Sequence, residues 1–215
     1  AVDTVNDHVI IALQAADYTA AGRIAVLDYE GNLVTSYETG VQPDMVTVSS
    51  DGKWILTADE GEPREGYGPG TTDPAGSVTL VNTETEEVRV AGFAGFDSSV
   101  LAGQGILFNK VDGQILSASA DLEPLDPDGT KAYVSLQEAN AIATLDIEEG
   151  TFTSIKSLGF QDLSAEENRV DLSEDGEYKA SVYPHTVGVR MPDGISAFEV
   201  NGVTWLATAN EGDAR

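Results

Sequence analysis

The sequence predicts an all-β protein, and within that class a β-propeller of four-stranded antiparallel blades that is an incomplete portion of a larger ring. Three observations lead to this prediction. Short runs rich in Val, Ile, Leu, Thr and Tyr recur along all 215 residues, Asx-Gly turn signals separate them, and an eight-residue acidic motif occurs twice. No long stretch keeps the 3.6-residue period of a helix.

The short apolar runs predict strands of about four to seven residues, because β-branched and aromatic side chains suit a pleated, half-buried surface. The predicted strands are His8–Ala15, Arg23–Asp28, Leu33–Glu38, Met45–Val48, Trp54–Thr57, Ser77–Val81, Glu87–Val90, Ala132–Leu136, Ala141–Ile147, Ile195–Val200 and Val203–Ala209.

Turn signals lie between these runs, and Asp-Gly and Asn-Gly pairs supply the positive φ angles that tight hairpins require. They are Glu30-Gly31-Asn32, Ser50-Asp51-Gly52, Asp112-Gly113, Asp128-Gly129, Asp175-Gly176 and Asn201-Gly202. One acidic stretch, Asp162–Asn168, is expected to form a single helical turn.

The repeated motif decides the architecture. The segment Thr57–Arg64 (TADEGEPR) reappears as Thr208–Arg215 (TANEGDAR) with five identical positions, and each copy follows a Pro-Asp pair, a strand, an Asx-Gly turn and a second strand. The copies start 151 residues apart, which corresponds to three or four units of roughly 40–50 residues, the period of propeller blades. A sandwich would also give short strands and turns, but it is not expected to repeat a polar motif so closely.

A looser third copy runs from Glu123-Pro124 through Asp128-Gly129 to Ala132–Glu138, with Gln137-Glu138-Ala139-Asn140 at the acidic position. Pro124 stands too close to Asp128 for a strand between them, so either this blade is degenerate or residues are missing from the numbering there. Because the chain stops at a motif copy, we expect residues 1–215 to form one propeller domain of four to five blades that is incomplete at its C-terminus.

The charge of the chain restricts its partners. Thirty-seven acidic residues against eleven basic ones give a net charge of −26, which disfavours nucleic acid and anionic membranes and favours divalent cations as partners. A solvated surface suited to high salt is the alternative explanation. No apolar run is long enough to cross a bilayer, so no membrane insertion is expected, and the absence of cysteine excludes disulfides and thiolate chemistry.

The acidic motif is the main candidate site. Equivalent positions of different blades lie around one axis, so we expect Glu60, Glu138 and Glu211 to converge on a channel mouth, with Glu62 and Asp213 beside them. Converging carboxylates suit a hard cation, and Ca²⁺, which takes six to eight oxygen ligands, suits them best.

Arg64 and Arg215 end the two copies, where they are expected either to pair with the neighbouring acids or to bind phosphate through a planar fork. The structural alternative is that the whole motif only stabilises loops between blades. A second candidate, Asp171–Gly176, matches half of a calcium loop but has Val182 at the twelfth position, so an acidic turn is favoured. Two distant histidines make a zinc site improbable.

Four segments of the sequence, which include both copies of the acidic motif, resemble a known family. Gly40–Val46, Thr57–Arg64, Ala132–Ala143 and Pro192–Arg215 are similar to the bacterial choice-of-anchor I domain, a family that also takes in mesenchyme-specific cell-surface glycoproteins of biomineralising animals. The resemblance implies a propeller that is longer than this chain and is extracellular, periplasmic or displayed on the cell surface. Some members carry the label alkaline phosphatase.

The leading functional hypothesis is therefore a secreted or surface propeller that binds Ca²⁺ and mediates extracellular interaction, such as contact with matrix or mineral. The alternative is a metal-dependent phosphoesterase, in which the acids would hold cations and Arg64 or Arg215 would neutralise the developing charge on a phosphoryl group. No Ser, Thr or His stands in an activating context, which ranks binding above catalysis. A purely structural module is the third possibility.

Overall fold

A computed structural model of the chain describes residues 1–66, 70–108, 110–111, 114–115, 120–123 and 129–212. The strands are β1 (Val2–Asp3), β2 (His8–Leu13), β3 (Ala21–Asp28), β4 (Leu33–Val41), β5 (Pro43–Val48), β6 (Trp54–Asp59), β7 (Ser77–Asn82), β8 (Val88–Ala91), β9 (Lys110–Val111), β10 (Gln114–Ile115), β11 (Ala120–Glu123), β12 (Lys131–Leu136), β13 (Ala141–Asp146), β14 (Thr151–Ser157), β15 (Phe160–Asp162), β16 (Val187–Val189), β17 (Pro192–Val200) and β18 (Val203–Asn210). The helix α1 spans Ser98–Gly103, and a 3-10 turn spans Glu166–Asn168.

Three four-stranded antiparallel sheets repeat along the chain: β1–β4, β5–β8 and β11–β14, here called blades 1, 2 and 3. In each of them, strands that follow one another in sequence are neighbours in the sheet. This meander is the unit of a β-propeller. The antiparallel pair β17–β18, here called blade 4, has two strands. The predicted all-β propeller of four-stranded antiparallel blades, forming part of a ring, is confirmed.

Blade 4 reproduces the first two strands of blade 2. Pro43 pairs with Asp59 and Pro192 pairs with Asn210, and each proline is followed by a register shift. The Pro-Asp pair therefore begins a bulged strand, a position where proline is tolerated because no ladder N–H is needed. The strands that lead into the two copies of the motif are thus equivalent in structure as well as in sequence.

The turn between β17 and β18 follows directly from its two residues. Asn201 and Gly202 have φ angles of 53° and 75°, and the flanking Val200 and Val203 pair with each other. This two-residue loop with positive φ at both positions has the twist that an antiparallel hairpin needs.

The core lies between successive blades, and blade 2 buries one face against blade 1 and the other against blade 3. Ile10 and Ile24 of blade 1 form one apolar cluster with Ile55 of blade 2. Leu56 of blade 2 and Val134 of blade 3 belong to a second, larger cluster. Residues 55 and 56 therefore point to opposite neighbours, as the two-residue alternation of a strand requires.

All eleven predicted strands are present, with ends that differ by up to three residues. The sequence did not predict α1, which is capped by Asp97 through its carboxylate Oδ1 and is too short to show a helical period. It also did not predict seven strands: β1, β9, β10, β11, β15 and β16, which have two to four residues each, and β14, whose alternation is largely polar. The acidic turn expected over Asp162–Asn168 is a 3-10 turn confined to its last three residues. The turn signal at Asp112-Gly113 lies outside the described residues.

The predicted layout of the third motif copy is wrong. The first strand of blade 3 is β11, which precedes Pro124 and pairs Ala120 with Leu136, so the blade does not need a strand between Pro124 and Asp128. Pro124 itself lies outside the described residues. The same register makes Gln137, and not Glu138, the equivalent of Glu60, because Gln137 is the residue that directly follows the second strand.

Candidate functional site

The described parts of the two motif copies, Thr57–Gly61 and Thr208–Gly212, have the same backbone geometry where β6 and β18 finish. We call this the motif end of the blades. The N–H of Glu60 donates to the carbonyl of Gln42 at 2.9 Å, and that of Glu211 donates to the carbonyl of Met191 at 3.0 Å. Gly61 and Gly212 have φ angles of 65° and 69°. The motif therefore clasps the loop after the second strand to the residues that lead into the first strand.

Glu60 is half-buried at this end, and three other carboxylates act on it. Burial is the largest cause that raises the pKa of Glu60, to about 7, and repulsion from Glu62, Asp44 and Glu138, in decreasing order, adds to it. The guanidinium of Arg64 lowers the same pKa. A carboxyl group that titrates near neutrality because it is buried beside other carboxylates marks a place where a cation would relieve repulsion.

The acids around Glu60 come from three parts of the fold. Glu62 continues the motif of blade 2, Asp44 belongs to the Pro-Asp pair at the start of β5, and Glu138 lies in the turn between β12 and β13 of blade 3. The sequence nominated Glu60, Glu62 and Glu138, and the structure brings these three near one another. Asp44 was missed as a site residue, although its place in the repeated Pro-Asp pair was a usable signal.

Glu211 lies in a different environment. Its side chain is exposed, and its Oε2 accepts a hydrogen bond of 2.8 Å from Nε2 of Gln137. This bond connects equivalent positions of blades 3 and 4, but Glu211 is not among the groups that raise the pKa of Glu60. Asp213 and Arg215, the remaining predicted residues of the second copy, lie outside the described residues.

Arg64 is oriented by two amide side chains. Its Nε donates to Oε1 of Gln42 at 3.0 Å, and its Nη2 donates to Oε1 of Gln14 at 3.2 Å. Gln14 directly follows β2, so it holds in blade 1 the position that Glu60 holds in blade 2. The guanidinium therefore bridges two blades, and two of its donors are committed to that bridge.

Gln42 is the centre of this bridge and was not predicted. Its side chain is 2% exposed, and its Nε2 donates to the backbone carbonyls of Tyr18 at 3.1 Å and Glu62 at 2.7 Å. Together with its bond from Arg64, this holds the loops of blades 1 and 2 in a fixed relation. A buried amide with all these partners fixes the backbone of Glu62, which belongs with Glu60, Asp44 and Glu138 to the group of carboxylates that we call the acidic mouth.

Asp59, the residue before Glu60, is completely buried at the boundary between blades 1 and 2. Its Oδ1 accepts a bond from Thr57, and its Oδ2 accepts bonds from Ser77 and Thr79. The N–H of Gly40 in blade 1 also donates to Oδ2, at 3.2 Å. Burial raises the pKa of Asp59 to about 6 in spite of these bonds.

The other candidates from the sequence do not join this group. In the segment Asp171–Gly176, both carboxylate oxygens of Asp171 accept backbone N–H bonds, from Ser173 at 3.0 Å and Lys179 at 2.7 Å, which is an acidic turn. Among the residues that the structure describes, no three Asp, Glu or His side chains stand in the geometry of a formed metal site. Nor does any helix in that part of the chain have the length and apolar character to span a bilayer.

Several solved structures share parts of this architecture. The hydrazine synthase of Kuenenia stuttgartiensis is 13% identical, with a TM-score of 0.48 over 68% of this chain and 39% of that one. The β-propeller domain of the Trilobed protease from Pyrococcus furiosus is 15% identical, with a TM-score of 0.38 over 69% and 38%. The periplasmic gluconolactonase of Pseudomonas aeruginosa is 14% identical, with a TM-score of 0.39 over 74% and 41%.

The chain thus spans about two fifths of the length of these three proteins, and at such identities no activity carries over to it. No curated protein matches the sequence. The model of one family, described as the choice-of-anchor I domain, matches residues 1–215, which include both copies of the motif and the acidic mouth. The chain therefore belongs to the choice-of-anchor I family.

Proposed function

We propose that the acidic mouth formed by Glu60, Glu62, Asp44 and Glu138 binds a divalent cation, and that Ca²⁺ is the ion it suits best. The observation that carries the proposal is the position of Glu60, which is half-buried with three other carboxylates close enough to raise its pKa. Four carboxylates offer up to eight oxygen atoms, which are the hard ligands that Ca²⁺ prefers, and the flexible geometry of Ca²⁺ tolerates ligands from several loops.

Binding requires the side chains to turn toward one another, because no formed metal geometry is present among the described residues. Two features support such a movement. The backbone of Glu60 and Glu62 is held by Gln42, so these two acids need only side-chain rotation. In addition, repulsion among the four carboxylates disfavours the ion-free state and falls when a cation enters.

Thermal unfolding with and without calcium tests the proposal. At pH 8, where Glu60 is ionised, a ligand that binds only the folded state stabilises it by about 2.7 kcal/mol when its concentration is 100 times Kd. We expect Tm to rise with CaCl₂, to rise less with MgCl₂, which demands octahedral geometry, and to return to its starting value with EDTA. Below pH 7, where Glu60 carries a proton for more of the time, calorimetry should show weaker binding of calcium. Binding should then release a proton from Glu60.

The decisive variant is Glu60→Gln, which keeps the side-chain size and removes one carboxylate. It should abolish most of the calcium-dependent rise in Tm. Glu84→Gln is the matched control, because Glu84 is an exposed acid at the opposite end of β7 and should leave the rise intact. An equal rise in wild type and Glu60→Gln, or no rise in either, contradicts the proposal.

We also propose that the propeller is displayed outside the cytoplasm, on the cell surface, in the periplasm or in the medium, where the bound cation supports contact with matrix, phosphate or mineral. Membership of the choice-of-anchor I family supports this location. Fractionation of cells that produce the protein naturally should recover it outside the cytoplasm, and exclusive recovery from the cytoplasm would refute it.

The phosphoesterase alternative has less support. Arg64, the proposed partner of a phosphoryl group, already donates to Gln42 and Gln14, so fewer of its donors remain for a planar fork around phosphate.

A further inference from the structure

The junction between blades 3 and 4 is much longer than the junction between blades 1 and 2. Blades 1 and 2 are joined by Gln42 alone, because β4 ends at Val41 and β5 begins at Pro43. Blades 3 and 4 are joined by residues 158–191, which contain β15, β16 and the 3-10 turn. We call residues 158–191 the excursion. Since a single residue is enough at the first junction, the excursion is not needed to join two blades, and long loops on a rigid scaffold often carry function.

Asn140 of blade 3 closes the base of the excursion, and its side chain is buried. At the start of the excursion, its Nδ2 donates to the carbonyl of Gly159 at 2.9 Å, and its backbone carbonyl accepts the N–H of Leu158 at 3.0 Å. At the end of the excursion, its Oδ1 accepts the N–H groups of Arg190 and Met191, at 3.0 and 3.2 Å. One residue outside the excursion therefore holds both of its ends.

Beyond this base, the excursion is organised largely by its own contacts. The strands β15 and β16 pair with each other, and the N–H of Tyr183 donates to the carbonyl of Leu163 at 2.8 Å. Val170 and Ser181 are joined by two backbone hydrogen bonds, at 3.1 and 3.0 Å. A segment built in this way can open as a unit, at a lower free energy than global unfolding, when its base is released.

The turn that contains Asn140, between β12 and β13, also carries Glu138 of the acidic mouth. The N–H of Asn140 donates to the carbonyl of Gln137 at 2.9 Å, and the carbonyl of Ala139 accepts the N–H of Leu107 at 3.0 Å. These bonds lie on both sides of Glu138 and leave the backbone of the turn little freedom. A displacement of Asn140 therefore displaces Glu138 as well.

We propose that Asn140 is a positioning residue of the acidic mouth, and that a divalent cation bound there holds the excursion in place; this role rests on the proposed cation site. While the base is closed, Asn140 fixes the turn and keeps Glu138 near Glu60. When the base opens, the turn is released and the cation loses one of its carboxylates. A ligand that binds the closed state more tightly shifts the population toward it, and by linkage the closed excursion strengthens cation binding by the same factor.

Hydrogen exchange of the full chain at about pH 8, followed by mass spectrometry with and without CaCl₂, tests this role. Peptides that contain the N–H groups of Leu158, Arg190 and Met191 report opening of the base. Calcium should slow their exchange by at least about fivefold, the lower end of the usual range for coupling between sites. Residues 82–87, in the turn between β7 and β8 at the opposite end of blade 2, open locally without affecting the mouth, so their exchange should not respond to calcium.

Two variants separate this coupling from a merely structural role of Asn140. Glu138→Gln retains the bonds of Asn140, so the base should stay closed without calcium, and calcium should no longer slow its exchange. Asn140→Gly removes the side-chain bonds without strain, because glycine readily adopts the φ of 53° found there. In this variant the base should exchange faster, and calorimetry should show calcium binding weakened by at least about fivefold. Glu174→Gln removes an exposed acid of the excursion and should behave like wild type.

The outcomes distinguish failure of this role from failure of the cation site. A calcium-dependent rise in Tm without slower exchange at the base would overturn the coupling and leave the cation site standing, whereas no change in either would refute both. Slowing that persists in Glu138→Gln would overturn the role, because the effect would not pass through the turn. Unchanged calcium affinity in Asn140→Gly would show that Asn140 holds the excursion without positioning Glu138.

Discussion

Replacing Asp59 by Asn is expected to remove a specific part of the pH dependence of stability. Asp59 is completely buried between blades 1 and 2, where it accepts bonds from three hydroxyl groups. Asn suits the same place, because hydroxyl groups rotate to accept as well as donate. The chain itself has Asn210 at the equivalent position of blade 4, where Thr208 bonds to its Oδ1 at 3.0 Å.

The magnitude follows from the pKa of the buried group. Burial raises the pKa of Asp59 from 3.8 to about 6. Between these two values the folded protein binds a proton at Asp59 that the unfolded chain has released, so the free energy of unfolding falls as pH rises. A difference of this size corresponds to about 3 kcal/mol at 1.36 kcal/mol per pKa unit. The stability is fully present below the unfolded pKa and is lost as pH rises through the folded pKa.

Urea unfolding followed by tryptophan fluorescence, at several pH values from about 4 to 8, measures this effect. The free energy of unfolding of Asp59→Asn, relative to wild type, should increase by about 2.4 kcal/mol across that range, which begins just above the unfolded pKa, because the variant has no group to titrate. Taking the difference cancels the contributions of Glu60 and of the surface acids. Parallel pH profiles for the two proteins would refute the reasoning, since they would show that Asp59 is not a buried titrating group.

Three further substitutions test how the motif end of the blades is held, each by urea unfolding at a single pH. Gly61→Ala would place a Cβ atom 2.7 Å from the backbone of residues 75 and 76, whereas the Cβ atom of Gly212→Ala, at a similar positive φ, would have its nearest neighbour at 3.7 Å. We expect the free energy of unfolding to fall by more than about 2 kcal/mol in Gly61→Ala and by about 1 kcal/mol in Gly212→Ala. Equal losses would contradict the close approach at Gly61. Gln42→Ala should cost about 2–4 kcal/mol because it leaves buried partners without bonds, while exposed Gln161→Ala should stay within about 0.5 kcal/mol. Asn140→Ala removes the acceptor of two backbone N–H groups from the segment leading into β17; we expect a loss of about 2–3 kcal/mol and faster proteolysis of that segment, and unchanged proteolysis would argue against this anchoring role.

The strands and the equivalence of the two motif copies could be predicted from sequence because their causes are local. Alternation of apolar residues predicts which segments are strands, and a pair such as Asn201-Gly202 predicts the hairpin that joins two of them. The Pro-Asp pair and the acidic motif recur at matching distances from the same strands, so their equivalence also needed no tertiary information. The third copy was misplaced because Pro124 resembled Pro43 in sequence while the register of β11 assigns it no such position.

The composition of the site was only partly predictable. Glu60 and Glu62 stood out because the motif repeats, and Glu138 was nominated through a misaligned copy, yet it does act on Glu60. Asp44 and Gln42 were missed as site residues, because whether such side chains face solvent, the mouth or a neighbouring blade depends on how two sheets approach one another.

The sequence by itself determined that this chain builds antiparallel blades with a repeated acidic loop, since strand alternation, turn residues and a repeated motif act within one blade. Only the tertiary structure decided that the loop of blade 2 is half-buried and close to an acid of blade 3, whereas Glu211 in the matching loop of blade 4 is exposed. The physical reason is that burial and charge repulsion depend on neighbours distant in sequence, so two closely similar local motifs acquire different chemistry in different blades.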